Sequence, residues 1–271
     1  MVQAPAKSKP ILTIWDEFEH ALSTPRYEQR GRERVLMSGQ IHGQSANGSG
    51  QSMAGLAGRF SWTTYDVSTL LPVGWQDELL SIARDRRSFK VLKPPHSTSR
   101  EAAEVSRIPV LTVKGPILRL AVPWLIRLYS CEFRSLASVY AREEAFVAAD
   151  KRYAVVMNVQ ENDTSRYECH IDTNPIVGLL YVTTHPKGDG GELVVANNQF
   201  ASNVTEVDRD ASVLYPAAGH LVFFDGRRHP HYVRSLVGSD IRVAVAMNYY
   251  LAGNPESSRP EDLNLYLYGQ T

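Results

Sequence analysis

Residues 176–251 read IVGLLYVTTHPKGDGGELVVANNQFASNVTEVDRDASVLYPAAGHLVFFDGRRHPHYVRSLVGSDIRVAVAMNYYL. Short β-rich runs recur through this stretch: Ile176–Thr183, Glu192–Ala196, Ser212–Tyr215, His220–Phe224, His231–Val237 and Ile241–Leu251. Turn-forming residues separate them, at Lys187–Gly191, Pro216–Gly219, Asp225–Gly226 and Gly238–Ser239. Gly supplies positive φ and Pro a fixed φ, so these clusters stop strands for a physical reason. Tyr153–Val159 (YAVVMNV) adds one more run upstream. Several short strands at close spacing predict an all-β barrel or sandwich.

Before residue 150 the texture differs. Trp75–Arg86 (WQDELLSIARDR) predicts an amphipathic helix. Ile117–Ala149 is long, apolar and poor in Gly and Pro after Pro123, which predicts one long or two broken helices. Trp124, Leu125, Leu128, Leu136 and Phe146 would face a core. Helices followed by strands around one core predict an α+β chain, mainly β, whose β-domain is buttressed by N-terminal helices. No repeat or linker divides the chain. Residues 1–271 are therefore expected to form a single domain, with a helical and loop-rich part over 1–150, a β core over 151–252 and a C-terminal tail over 253–271. The first ten residues are expected to fray, and Ile11–Leu22 to form a short helix. Gly39–Gly58 is rich in Gly, Ser, Gln and Asn and predicts a flexible loop or a lid over a site.

Lys plus Arg number 29 and Asp plus Glu number 29, so the formal net charge is zero. That balance argues against the broad positive field of a nucleic-acid binder. Two basic stretches, Arg26–Arg34 and Arg84–Lys93, read most simply as a solvated helix face or loop. Two cysteines, Cys131 and Cys169, make no disulfide framework and suit a reducing compartment. No apolar run reaches the roughly 18 residues of a membrane span, and the first residues lack the pattern of a secretory leader. A cytoplasmic protein without membrane or nucleic-acid partners is the expectation.

His170-Ile171-Asp172 sets an imidazole and a carboxylate two residues apart. In an extended segment, residues i and i+2 share a face, so both could grip one ion. Downstream lie His229 and His231. Two histidines and one carboxylate with open positions form the facial triad of non-haem iron sites, whereas a closed four-ligand zinc site leaves no room for co-substrates. A hairpin about Gly238-Ser239 would put His231 opposite Ala246 and Ser235 opposite Arg242, on one face. On that pairing His231 and Arg242 look into one cavity. His229 has the same parity but precedes Pro230, so His231 is preferred as ligand. Arg242 has apolar neighbours and needs an anion. That anion is either a structural Asp or Glu or the carboxylate of a bound acid.

The ordered block HID…GGELVV…PAAGHLVFFDG…HPHYVRSLVG…R, from His170 to Arg242, resembles the 2-oxoglutarate/Fe(II)-dependent dioxygenase superfamily, in its prolyl 4-hydroxylase-like branch. The resemblance covers the C-terminal half only. It implies a double-stranded β-helix (jelly-roll, cupin-like) core. It implies that His170, Asp172 and His231 bind Fe(II), that Arg242 anchors 2-oxoglutarate, and that O2 is the second co-substrate. Asn158 resembles the Asn that touches the co-substrate's inner carboxylate in the nucleic-acid alkylation-repair branch; that branch has Asn-x-Tyr where this chain has Asn158-Val159-Gln160. Related halogenases replace the carboxylate ligand with Gly or Ala, so Asp172 implies hydroxylation rather than halogenation. Arg166, Tyr167 and Asn174 flank the HxD and are expected to rim a substrate pocket, with Asn197 and Asn198 as further hydrogen-bonding groups.

The expected activity is hydroxylation of a small polar metabolite, such as an amino acid, a nucleotide or a natural-product intermediate. A protein or peptidyl hydroxylase stays open as an alternative, and so does a non-catalytic cupin-like binding module.

Overall fold

The computed structural model describes residues 59–263, apart from 106, 162–165 and 239. The chain divides into two units, Met1–Gln40 and Ile41–Thr271, and only the second contains described residues. The expected helix Ile11–Leu22, the basic stretch Arg26–Arg34, the candidate lid Gly39–Gly58 and residues 264–271 lie outside the described residues.

The strands are β1 (Trp62–Asp66), β2 (Ser88–Leu92), β3 (Ile108–Val113), β4 (Ala145–Val147), β5 (Val155–Glu161), β6 (Tyr167–His170), β7 (Ile176–Tyr181), β8 (Leu193–Ala196), β9 (Ala211–Leu214), β10 (His220–Phe224), β11 (His231–Val233) and β12 (Ile241–Leu251). The helices are α1 (Trp75–Arg86), α2 (Gly115–Ala121), α3 (Pro123–Ser130), α4 (Glu132–Ala141), α5 (Lys151–Ala154) and α6 (Val204–Arg209). The larger sheet runs β1-β10-β7-β12-β5-β3-β2, with β4 also on β12, and the smaller runs β6-β11-β8-β9. Neighbouring strands are antiparallel throughout. Two antiparallel sheets in this order form a double-stranded β-helix core.

Strand parity sorts side chains between two interiors. On β12, Val243, Val245, Met247 and Tyr249 join Leu118, Leu125, Leu128 and Phe133 of the helices in one buried cluster. The alternate residues Arg242, Ala244, Ala246 and Asn248 line a cavity. On β7, Ile176 and Leu180 meet the helices, while Val177, Leu179 and Tyr181 pack with Leu193, Val195 and Val233 of the smaller sheet. Leu221 and Phe223 on β10 take the helix side, and Val222 and Phe224 the side facing the smaller sheet. Helices thus buttress one face of the larger sheet and leave its other face for the site. A third cluster joins Cys169, Val194 and Tyr232 to Val207 of α6, outside the smaller sheet.

Several expectations need correction. Residues 59–150 are not only helical and looped, since β1, β2, β3 and β4 all come from them. Ile117–Ala149 breaks into α2, α3 and α4 and then the strand β4, where Phe146 is 42% exposed instead of facing a core. The predicted β11–β12 hairpin does not form. β11 pairs with β6 and β8, and β12 with β5, β7 and β4, in different sheets. Val237 donates instead to Asp189 and Leu236 bridges Gly190, so the chain crosses between sheets. Within the C-terminal tail, the stretch 253–263 packs back on the domain. Glu256 accepts from the amides of Ala149 and Asp150, Arg259 pairs with Asp150, and Leu263 lines the cavity. No helix among the described residues is long and apolar enough to cross a membrane.

Candidate active site

His170 ends β6, and its position depends on a bulge. β6 pairs with β11 through His170↔His231 and Tyr167↔Val233, so three steps on β6 match two on β11. The extra residue brings both Tyr167 and His170 to the cavity, while Cys169 stays in the outer cluster. The free edge of β6 is covered by residues 98–100. Arg100 N–H donates to Cys169 O (2.8 Å) and Ile171 N–H to Thr98 O (3.0 Å). Asp172 N–H donates to Gly226 O at 3.1 Å, which docks the carboxylate against the turn after β10.

His170, Asp172 and His231 present ligand atoms that all lie within 4.8 Å of one another. His231 Nε2 is 3.4 Å from Asp172 Oδ2, and His170 Nε2 is 3.7 Å from Asp172 Oδ1. His170 Nδ1 lies 2.8 Å from Glu168 O, and His231 Nδ1 lies 2.9 Å from His229 O. A carbonyl only accepts, so each Nδ1 carries a hydrogen and each ring turns its Nε2 inward, as a metal-binding imidazole does. Burial pushes the His231 pKa down to about 4, against the pull of Asp172, so its ring is neutral at neutral pH. Asp172 Oδ2 is buried and has no hydrogen-bond partner among the described residues. Imidazole lone pairs facing an orphaned carboxylate oxygen repel unless a cation sits among them. The donor set therefore fits a divalent ion, and three protein ligands leave positions open.

His229 stands apart. Its Nδ1 donates to Ala196 O (2.8 Å) and its ring meets Phe60 edge-on at 5.6 Å. It is His231 that shares the cavity with Arg242. The hairpin register used to pair them was wrong, yet the shared cavity is present because the two sheets face each other.

Arg242 is 2% exposed. Its Nε donates to Gly191 O at 2.6 Å, and its guanidinium carbon lies 5.7 Å from the centre of the Tyr181 ring. Among the described residues no carboxylate forms an ion pair with it; the nearby Glu192 is paired with Arg234. Burial holds the Arg242 pKa below its usual range, though the group stays charged near neutrality. Tyr167 aims a buried hydroxyl without a hydrogen-bond partner among the described residues, close enough to Arg242 to feel its charge. A buried cation and an orphaned hydroxyl fit an incoming carboxylate. The GGEL segment explains itself here. Gly190 and Gly191 have φ of 77° and 74°, and a Cβ at Gly191 would stand 2.9 Å from Arg242 Cδ.

The other expected site residues divide. Asn158 lines the cavity, opposite Ala244. Arg166 does not line it: its guanidinium is held by Glu101 at 2.5 and 2.9 Å. Asn174 is fully buried and bonds Tyr153 and Ile176 O, so it shapes the loop after Asp172 instead of meeting substrate. Asn197 is tied to Asp210 and Ser212. Sequence reading missed Tyr153, Lys90, Thr112 and Lys114, which line the cavity from elements before residue 155.

Residues 154–250 match the family model described as the 2OG-Fe(II) oxygenase superfamily. This segment is a 2OG-Fe(II) oxygenase domain. The matched span contains the bulged strand, the three clustered ligand-type side chains and Arg242. The oxygenase domain makes the chain an enzyme that uses Fe(II), 2-oxoglutarate and O2. No curated protein matches the chain significantly. Among solved structures, AviO1 from Streptomyces viridochromogenes Tue57 is 16% identical, with 77% of this chain and 99% of that chain covered and a TM-score of 0.51. The non-haem α-ketoglutarate-dependent epimerase SnoN from nogalamycin biosynthesis is 15% identical over 72% of this chain and 80% of its own, with a TM-score of 0.50. The corresponding carbocyclase SnoK is 13% identical over 78% and 87%, also at 0.50. At these identities the likeness to the oxygenase domain is one of fold.

Proposed function

We propose that His170, Asp172 and His231 hold Fe(II), that Arg242 anchors the far carboxylate of 2-oxoglutarate, and that the enzyme hydroxylates a small polar molecule. The observation that carries the reading is Asp172 Oδ2, buried without a hydrogen-bond partner among the described residues and facing two imidazoles. When bound, iron, 2-oxoglutarate and O2 would together supply an oxidant able to break a C–H bond, one oxygen atom of O2 going into the succinate that leaves with CO2 and the other remaining for the substrate.

The chain's own residues bind, orient and keep the site dry. Glu168 O and His229 O fix the two rings, and the Asp172 amide bond to Gly226 O fixes the carboxylate. Arg242 and the Tyr167 hydroxyl grip the co-substrate's distal carboxylate, and Asn158 contacts its inner end. Val177, Leu179, Leu193 and Phe224 wall the cavity and exclude water around the reacting carbon.

A cavity walled by both sheets supports a small substrate over a protein, which would need an open groove. The enzymes named above include an epimerase and a carbocyclase, so hydroxylation is proposed from this site: Asp172 fills the ligand position that a halide would need. The described residues act as one oxygenase domain, and two unbridged cysteines support a cytoplasmic setting.

The test is anaerobic absorbance of the chain with Fe(II) and 2-oxoglutarate. A weak visible charge-transfer band is expected in the wild type, lost in His231→Ala and kept in His229→Ala. Arg242→Met should keep metal binding but raise the 2-oxoglutarate needed for half-saturation about 10- to 100-fold, the worth of a charge-assisted bond. No band in the wild type would end this reading.

A further inference from the structure

On its cavity face, β12 carries a polar side chain toward each end, with Ala244 and Ala246 between them. Arg242 holds the end assigned to 2-oxoglutarate. Asn248 stands six residues on, about 20 Å along an extended strand. Strand registers place Asn248 at the level of the metal ligands. It pairs with Val177 on β7, and Val177 pairs with Phe224 on β10, whose ring meets the His231 ring edge-on at 5.6 Å. Asn248, Val177, Phe224 and His231 all line the cavity. A co-substrate strung from the metal toward Arg242 runs away from Asn248, which faces the side left to the substrate.

Asn248 is 6% exposed, and its surroundings on this face are apolar. Ala246 precedes it, flanked by Val156 on β5 and Leu179 on β7, and Val177 lies beside it. All four line the cavity. The Asn248 Nδ2 donates to Tyr153 O at 2.6 Å. A carbonyl only accepts, so that bond fixes which end of the carboxamide is nitrogen. Oδ1 is the other pole, and it accepts no hydrogen bond among the described residues. Tyr153 is pinned in turn by its hydroxyl, which donates to Asn174 Oδ1 (3.1 Å) in the loop after Asp172. The carboxamide is thus held in one orientation, an acceptor set into an apolar wall. Such an oxygen is costly when left unbonded, and a donor brought by the substrate would satisfy it.

Resting on the oxygenase reading, we propose that Asn248 is a specificity-determining residue: its Oδ1 accepts a hydrogen bond from an uncharged substrate donor, an alcohol hydroxyl or an amide N–H, seated beside the carbon to be oxidised. The donor is uncharged because an apolar wall does not solvate an ammonium. The substrate is then apolar where it lies along Val156, Val177, Leu179 and Ala246, and carries its donor at the level of the metal. A site built to bond one donor rejects an analogue that lacks it far more strongly than one that differs by a methylene.

The test uses the full chain loaded with redox-inert Zn(II) and saturated with 2-oxoglutarate, so that the metal and Arg242 are engaged. Two probe pairs are titrated by saturation-transfer NMR into wild type, Asn248→Leu and Asn248→Ala. One is benzyl alcohol against its isomer anisole, the other N-methylbenzamide against N,N-dimethylbenzamide. In at least one pair the donor-bearing probe is expected to bind wild type about fivefold tighter than its partner, the worth of one neutral hydrogen bond. Both variants should bring that ratio to about one. A purely structural role would weaken both members of a pair alike and leave the ratio unchanged. The pair that shows the preference tells hydroxyl from amide. In the 15N-labelled wild type, the Asn248 side-chain amide signal should shift with the donor-bearing probe and stay with its partner, a readout that needs no variant. Equal binding within both pairs in the wild type, an unshifted amide signal, or a preference that survives both substitutions overturns the proposal. An absent Fe(II)/2-oxoglutarate band in the wild type overturns the oxygenase reading and this inference with it. An intact band without donor preference overturns the inference alone.

Discussion

A Cβ at Gly226 would overlap the Asp172 carboxylate and stand 2.8 Å from Cε1 of His231. Those obstacles are side-chain atoms, so an alanine there would be accommodated by moving the carboxylate while the backbone stays. Gly226→Ala is therefore expected to leave the melting temperature of the metal-free protein within a few degrees and weaken metal affinity at least tenfold. Calorimetric titration with Zn(II) checks it, and unchanged affinity would remove Asp172 from the ligand set. At this scale the sequence was legible where residue type carries the chemistry. Among the described residues, His170, Asp172 and His231 cluster as ligand-type residues, and Arg242 shares their cavity. It was illegible where partners decide. Nothing in the triplet Ser165-Arg166-Tyr167 tells that Glu101, far upstream, occupies Arg166 while the Tyr167 hydroxyl stays without a hydrogen-bond partner among the described residues.

Glu101 acts on a whole element. It accepts from both Arg166 amino groups and, at 2.6 Å, from Cys169 N–H, so it latches the strand that carries His170. Burial alone would raise its pKa, but the bonds from Arg166 and Cys169 outweigh that and leave it lowered. A lowered carboxylate pKa adds stability that is complete above the unfolded value and is lost as pH falls through the folded value. Glu101→Gln should cost roughly 2 kcal/mol at pH 7, read from the urea midpoint, and shrink the loss of stability below the ordinary glutamate range. An unchanged midpoint would mean that the latch is idle. Strand legibility followed burial in the same way. His220–Phe224 and Ile241–Leu251 appear with the predicted bounds because turn residues bound them and most of their residues are buried apolar ones. β2 and β3 escaped notice because their cavity face carries Lys90 and Thr112, which blurs the alternation, and the bulge in β6 has no local sequence sign.

Across the described unit, the segment after β12 returns to the mouth of the cavity. Asp150 caps α5 by accepting from Arg152 N–H and also bonds Arg259, whose guanidinium lies 4.5 Å from the centre of the cavity-lining Tyr153 ring. Burial opposes ionisation of Asp150, yet the bonds from Arg152 and Arg259 bring its pKa down from 3.8 to about 2. Its contribution is thus whole above pH 3.8 and disappears between there and about 2. Asp150→Asn should flatten the urea midpoint between pH 4 and pH 2 (about the titration window) relative to wild type. A parallel decline in both proteins would place the acid-sensitive group elsewhere. The two faces of β12 carry a consequence for genetics. In a library of random substitutions screened by colony, odd-numbered positions from Val243 to Tyr249 should yield failures that vanish into inclusion bodies. Even-numbered positions from Arg242 to Asn248 should yield failures that accumulate to normal levels and do nothing, so inheritance along one strand would alternate between missing protein and silent protein.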